Sequence, residues 1–395
     1  MSASPRAWRA SFAATLTLAM AMGSIMQFSL GVFGPLIMTD LDITRTTFGA
    51  LNTSYFAVGA IASPLVGRLV DKVGGYPLLI GLFLIVGISF AGMALSPDLV
   101  WLWLAVALAG TANALMNPVT NELIATRLQP GKQGIITGLK QSGVQVSTFA
   151  AGTVLPPIAI VLGWRAAAGL IAVVSLASIL STSTARLTQS PESVAEKGVP
   201  RPVPLRGFVS WLMAYALLMG IGVSSFFTYL PLYAVETLGM SITAGGAAVG
   251  LIGFIGIFSR VAWGRRAELV PRPQQTLALI AAVAALSQSV LWAASLGATW
   301  LIWVAAIGLG ASAAAWNVVG MLAVVRRFQG QGTGHASGVV LLGFFIGLTI
   351  APVTVGASVD RTDSYGLAWA VVTGAFALAA VIAAAWARSE REEAP

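Results

Sequence analysis

Long apolar runs, separated by short polar breaks, make up almost the whole chain. A helix needs about 20 mainly apolar residues to cross a bilayer. Twelve stretches reach that length: roughly 11–38, 47–67, 76–95, 99–125, 134–161, 164–184, 207–236, 244–264, 276–295, 299–325, 334–358 and 364–387. The first follows Arg6 and Arg9, as a secretory signal would, but it runs past the usual apolar core of a signal and lacks a convincing cleavage site. The pattern therefore predicts an all-α integral membrane protein of twelve transmembrane helices, the first retained as a signal anchor.

Basic residues set the expected orientation, because short cytoplasmic loops carry the excess of Lys and Arg. With the N-terminus inside, seventeen of the 22 Lys and Arg residues fall on the cytoplasmic side and only Arg45, Arg165 and Arg361 outside. The remaining two, Lys140 and Arg260, lie within spans. Both termini are expected in the cytoplasm, and the protein in the cytoplasmic (inner) membrane.

Composition narrows the chemistry. Charged residues make up 9% and hydrophobic residues 57% of the 395, whereas a soluble domain carries about 25% charged residues. A soluble fold and a disordered chain are both excluded. The net charge of +8 follows from the loop bias and implies no nucleic-acid partner. The absence of cysteine and the single histidine, His335, leave no thiolate chemistry and no histidine metal centre.

The longest polar stretch, 186–206, stands at mid-chain and reads as a cytoplasmic linker between an N-terminal six-helix bundle (1–185) and a C-terminal one (207–395). The halves correspond in sequence. Gly67-Arg-Leu-Val-Asp71 answers Gly264-Arg-Arg-Ala-Glu268 at an offset of 197, and Asn117, Arg127, Gln129, Gly134, Gly138 and Gly143 answer Asn317, Arg327, Gln329, Gly334, Gly338 and Gly343 at an offset of 200. Parallel repeats of this kind enclose one site near the midplane in transporters.

The loop Gly67-Arg-Leu-Val-Asp71-Lys72-Val-Gly74 resembles the signature loop of the major facilitator superfamily, and Gly264 to Glu268 resembles its degenerate copy. Gly75 and Tyr76 stand where the family pattern continues with two basic residues. The resemblance covers the whole chain. It implies two bundles related by a pseudo-twofold axis, transport by alternating access, and conformational roles for Gly67, Asp71, Lys72, Gly264 and Glu268. In the family this loop helps to hold the outward-open state, with Asp71 as the implied acidic partner.

A Lys or Arg at a helix centre costs roughly 2.5–3.5 kcal/mol on the insertion scale, so Lys140 and Arg260 most need explaining. Lys140 lies eight residues beyond Lys132 and Arg260 eight before Glu268, about 12 Å from the boundary at 1.5 Å per residue. Family architecture places spans five and eight together, so the two cations are expected to face one cavity and bind an anion. Gly253, Gly256 and Gly264 are expected to leave room around Arg260. Snorkelling to the surface and pairing with backbone carbonyls are the alternatives. The segment around Arg260 also resembles span eight of monocarboxylate and oxalate/formate carriers, although Gly256 replaces the acid those monocarboxylate carriers hold one turn earlier. Gly-Leu-Lys140-Gln141-Ser-Gly143 resembles span five of cyanate-type permeases.

Other polar positions are candidates to line the site. Asn113, Asn117 and Asn121 recur every fourth residue in span four, with Asn317 beside Trp316 as the repeat mate. Asn52 and Tyr55 in span two, Ser224, Thr228 and Tyr229 in span seven, Gln141 in span five and Gln27 in span one complete the set, while Phe344 and Phe345 read as packing. Glu122 is expected to pair with Arg127, and His335 to be solvated.

The expected function is uptake of a small organic anion, a carboxylate, by a monomeric secondary transporter with no cofactor beyond a proton gradient. The alternative is proton-coupled efflux of hydrophobic drugs, against which span five lacks the Gly-Pro pairing and span four the embedded arginine of such antiporters. A receptor signalling through 186–206 finds no signalling module there, and no nucleophile–base set suggests an enzyme.

Overall fold

The computed structural model describes residues 5–128, 133–183, 207–270, 272–328 and 333–392. The linker at 186–206 and the glycine-rich stretch 329–332 lie outside them. Among the described residues, twelve helices are long and apolar enough to cross a membrane: α1 (Pro5–Leu41), α2 (Arg45–Val73), α3 (Gly75–Ala94), α4 (Leu99–Arg127), α5 (Gln133–Leu162), α6 (Trp164–Thr182), α7 (Phe208–Glu236), α8 (Ile242–Leu269), α9 (Pro273–Ala293), α10 (Leu301–Phe328), α11 (Thr333–Thr362) and α12 (Gly366–Glu392). Short polar residues start several of them: Thr44, Asp98 and Ser241 accept the N–H of Thr47, Trp101 and Ala244. Apolar side chains such as Ile61, Val173 and Leu286 face outward, where lipid is the solvent and the helices satisfy their own backbone.

The helices form two six-helix bundles that repeat one packing scheme. α1 lies on α5 as α7 lies on α11, α2 on α4 as α8 on α10, and α3 on α6 as α9 on α12. The sequence repeat follows from these crossings. Gly143 faces the Thr17 carbonyl in the first half and Gly343 the Met213 carbonyl in the second, each so closely that a Cβ would strike the backbone.

Between halves, α1 packs on α7, α2 on α11 and α5 on α8. These contacts tighten toward the end that carries Arg45, where Gly49 meets the Pro352 carbonyl and Gly152 the backbone of Gly246 and Gly250. Toward the other end the halves part. Among the described residues neither α4 nor α10 lies along a helix of the opposite half, and a Cβ added at Gly67, Gly138 or Gly338 would meet nothing within 4 Å.

Two boundaries differ from the sequence reading. Gly67, Asp71 and Lys72 are helical rather than looped, because nothing breaks α2 until Gly74, whose φ of 83° caps it. Gly264 and Glu268 likewise lie in the last turns of α8. α10 is not continuous. It is interrupted at Ser312 (φ −127°, ψ −80°), two residues after Gly310, and resumes after a 3-10 turn at Ala313–Ala315; residues 311–315 themselves hold neither proline nor glycine.

Candidate functional site

A cavity of about 170 Å³ lies between the bundles. Its polar lining comes from both halves: Gln27, Asn113, Asn117, Gln141 and Gln145 from one, Arg260 and Asn317 from the other. Trp316, with Phe28, Phe56, Phe227, Phe344 and Phe345, supplies much of the apolar wall. The recurrence of Asn113 and Asn117 one turn apart on α4 brings both to this face, and Gln141 donates to Asn117 Oδ1 at 3.1 Å. Asn317 Oδ1 is buried without a partner.

The interruption of α10 borders the cavity at Ala313 and Ala314. Where the helix breaks, carbonyls lose their helical donors, and α8 supplies substitutes. Ser259 donates to Gly310 O at 2.8 Å, Trp263 Nε1 to Ala311 O at 2.5 Å, and Arg260 Nη2 to Ala314 O at 3.2 Å. Gln145 of the opposite half approaches the same Ala314 carbonyl at 3.4 Å. Arg260 therefore pairs with a backbone carbonyl and also faces the cavity. Its Nε has no partner, and among the described residues no carboxylate forms an ion pair with it. Of the glycines expected to give it room, Gly253 meets the backbone of α5 at Phe149, Gly256 the side chain of the cavity-lining Gln145, and Gly264 makes ordinary contact with Val318.

Several expected residues lie elsewhere. Lys140 does not line the cavity. It is fully buried, and its Nζ donates to Thr120 Oγ1 at 2.7 Å and Asn121 Oδ1 at 2.6 Å. Tyr55 also lies off the cavity, donating to Gly23 O at 3.1 Å. Asn52 donates to the Phe48 carbonyl one turn back on its own helix, and Ser224 donates to the Leu348 carbonyl and ties α7 to α11. Gln145 was not legible as a candidate, although it follows Gln141 by one turn on the same face. Phe344 and Phe345 prove to be wall residues, Phe344 also packing at a tilt against Trp316.

The closed end holds a charge network that the loop charges alone did not reveal. Arg45 Nε donates to Glu236 at 2.9 Å and its guanidinium lies 3.6 Å from Asp360. Asp360 of α11 accepts the backbone N–H of Arg45 at 3.2 Å and of Thr46 at 2.7 Å, so one half caps the first turn of a helix in the other. Tyr365 donates to Glu236 at 2.7 Å. Burial and then the charge of Glu236 hold its phenol well above the usual range, so it stays a donor. Tyr229 belongs here, its hydroxyl bridging the carbonyls of Arg45 and Pro352 at 2.9 and 2.6 Å.

At the open end, Asp71, Lys72 and Glu268 are exposed. Glu122 accepts the Gly75 N–H at 2.8 Å, and so anchors the start of α3 where a pairing with Arg127 was expected. His335 is exposed in the first turn of α11.

A model of the Major Facilitator Superfamily matches residues 16–352. The chain belongs to that superfamily. Among relatives within it, a probable nitrate/nitrite transporter, NarK2, of Mycobacterium tuberculosis is 26% identical, the match covering 89% of this chain and 90% of the relative. A hexuronate transporter of Bacillus subtilis is 22% identical over 61% of each chain, and a chloramphenicol resistance protein of Streptomyces lividans 29% over 66% of each. A solved bacterial homologue of the human lysosomal transporter Spinster, in an inward-facing and occupied conformation, superposes with a TM-score of 0.75 over 98% of both chains at 16% identity, a likeness of fold. The chain is thus a multi-pass membrane protein with the superfamily's transporter fold.

Proposed function

We propose that the protein is a secondary transporter of the inner membrane that takes up a small carboxylate or similar anion by alternating access and proton symport, with Arg260 as the anion subsite. The observation that carries this reading is a guanidinium in the inter-bundle cavity with no carboxylate paired to it among the described residues. A buried cation of this kind calls for a countercharge, and the planar fork of arginine suits a carboxylate or another planar oxyanion. Asn117, Gln141, Asn317 and Trp316 complete the subsite in this reading. The names of the nitrate/nitrite and hexuronate relatives agree with an anionic substrate. The bias of basic residues supports a cytoplasmic Asp71 end, and in this reading the state is inward-facing, closed outside by Arg45, Glu236 and Asp360. The Gly67–Lys72 segment would then engage the other bundle in the outward-facing state.

Thermal stabilisation tests the reading. A ligand at 100 times its Kd stabilises the native state by about 2.7 kcal/mol. Nitrate, formate, lactate and methanesulfonate are titrated against the purified protein and against Arg260→Gln. Stabilisation by one or more anions, lost in the variant, is the expected result. A second reading, drug efflux, draws on the aromatic wall and on the chloramphenicol resistance relative. Stabilisation by chloramphenicol alone, equal in both proteins, would replace the first reading with the second.

A further inference from the structure

Lys140 is a fully buried amine that the anion subsite does not use. A buried lysine kept for structure is ordinarily paired with a carboxylate, which pins the charged form. Here both partners are neutral, Thr120 Oγ1 at 2.7 Å and Asn121 Oδ1 at 2.6 Å. A hydroxyl donates as well as accepts, and an amide offers both an acceptor and donors. The Thr120 hydroxyl donates to Met116 O at 2.6 Å while it accepts from the ammonium, and by turning that proton from the carbonyl to the nitrogen lone pair it is equipped to hold the neutral amine.

Charged groups on the surrounding helices do not fix its state. α1 packs on this face of α5 and carries no titratable side chain between Arg9 and Asp40. On α4, Glu122 is engaged with the Gly75 N–H, and Arg127 lies six residues beyond Asn121. α6 contributes only Arg165, which pairs with Asp40 at the closed end, and α8 contributes Arg260 in the cavity, with Arg265, Arg266 and Glu268 exposed in its last turns.

The position also couples two places. Asn121 is exposed on the side of the open end, giving the amine a route to water. Thr120 follows the cavity-lining Asn117 by three residues, about 4.5 Å along the axis, and Lys140 precedes the cavity-lining Gln141. A proton on Nζ favours an anion in the cavity, and by linkage the anion favours the proton.

Building on the anion reading above, we infer that Lys140 is the proton carrier of the transport cycle. Nζ takes up one proton in the outward-facing state, and the anion crosses while the amine is protonated. Nζ then releases that proton to water at the open end and keeps the electron pair, and the empty carrier returns with the neutral amine. No other bond changes. Because Arg260 stays charged throughout, it binds the anion while Lys140 alone carries the proton.

Proteoliposomes loaded and assayed with [15N]nitrate and [14C]lactate test this. Two fluxes are read: exchange at equal pH, and accumulation driven by an imposed pH gradient. The wild type is expected to do both with at least one probe. Lys140→Gln is expected to exchange still, but to lose gradient-driven accumulation and the pH dependence of uptake. Asn121→Asp places a carboxylate on the amine, and is expected to move the alkaline limb of the uptake profile up by about one pH unit or more. That shift is not expected of a merely structural lysine, and it decides the matter if Lys140→Gln does not fold. Undiminished accumulation in Lys140→Gln, or an unmoved profile in Asn121→Asp, overturns the proposal. So does a wild type that exchanges but never accumulates, or a folded Lys140→Gln that exchanges nothing and so assigns the lysine to anion binding. A wild type that moves neither probe refutes the anion reading itself, and the proposal falls with it.

Discussion

Arg45→Gln probes the closed end most sharply. The substitution removes a guanidinium 2.9 Å from Glu236 and 3.6 Å from Asp360, with side-chain exposures of 27%, 25% and 22%. Exposed ion pairs are worth about 0.2–1 kcal/mol, and breaking a fully buried one costs about 3–5 kcal/mol. This half-buried network falls between, at about 1–3 kcal/mol after solvent screening, and two carboxylates are left facing each other. Asp360 still caps the first turn of α2, so closure is weakened rather than abolished. The equilibrium between closed and open outer ends then shifts by about 5–150-fold. The chain has no cysteine, so a single Thr228→Cys reports without background. Thr228 is buried where α7 meets Gly31 of α1, beneath the network, and a membrane-impermeant maleimide reaches it only when the outer end opens. Adding Arg45→Gln is expected to speed labelling by that factor. An unchanged rate in a folded, monodisperse protein would refute the role given to Arg45.

Other outcomes follow from the same geometry. Arg260→Gln loses charge-assisted hydrogen bonds worth about 1.5–3 kcal/mol and is expected to weaken anion affinity by about 10–150-fold, read by titration calorimetry. Gly143→Ala drives a Cβ into the Thr17 carbonyl and is expected to cost about 1–3 kcal/mol of stability, seen as a lower Tm. Gly138→Ala, with open space around it, is expected to leave Tm unchanged or slightly higher. Trp263→Phe leaves the Ala311 carbonyl of the broken helix without its donor and is expected to cost about 1–3 kcal/mol, again visible in Tm.

The spans were legible because the hydrocarbon core admits few alternatives to a helix of fixed length. The repeat was legible too, since Gly143 and Gly343 answer the same backbone crossing in each half. Arg260 stood out by its insertion cost and does face the cavity. Its surroundings were not legible, because the break in α10 occurs in an Ala-Ser-Ala-Ala-Ala segment that carries no breaker, and tertiary bonds from Ser259, Arg260 and Trp263 sustain it. Lys140 shows the limit of reasoning from depth alone. Depth along the axis does not say which way a side chain points, and its nearest oxygens belong to its own half. The Arg45 network was hidden for a similar reason: its members lie up to 320 residues apart, between Arg45 and Tyr365, and only the docking of the bundles brings them together.

Substrate flux gives the most direct test of the central claim, that an anion crosses through a cavity centred on Arg260. Initial uptake of [15N]nitrate and [14C]lactate is compared in proteoliposomes bearing the wild type, Arg260→Gln, or no protein. Saturable uptake of at least one anion by the wild type, reduced to the protein-free level in Arg260→Gln, is the predicted result. Equal uptake by wild type and variant, or wild-type uptake no faster than empty liposomes while a neutral hydrophobic drug is moved, would contradict it.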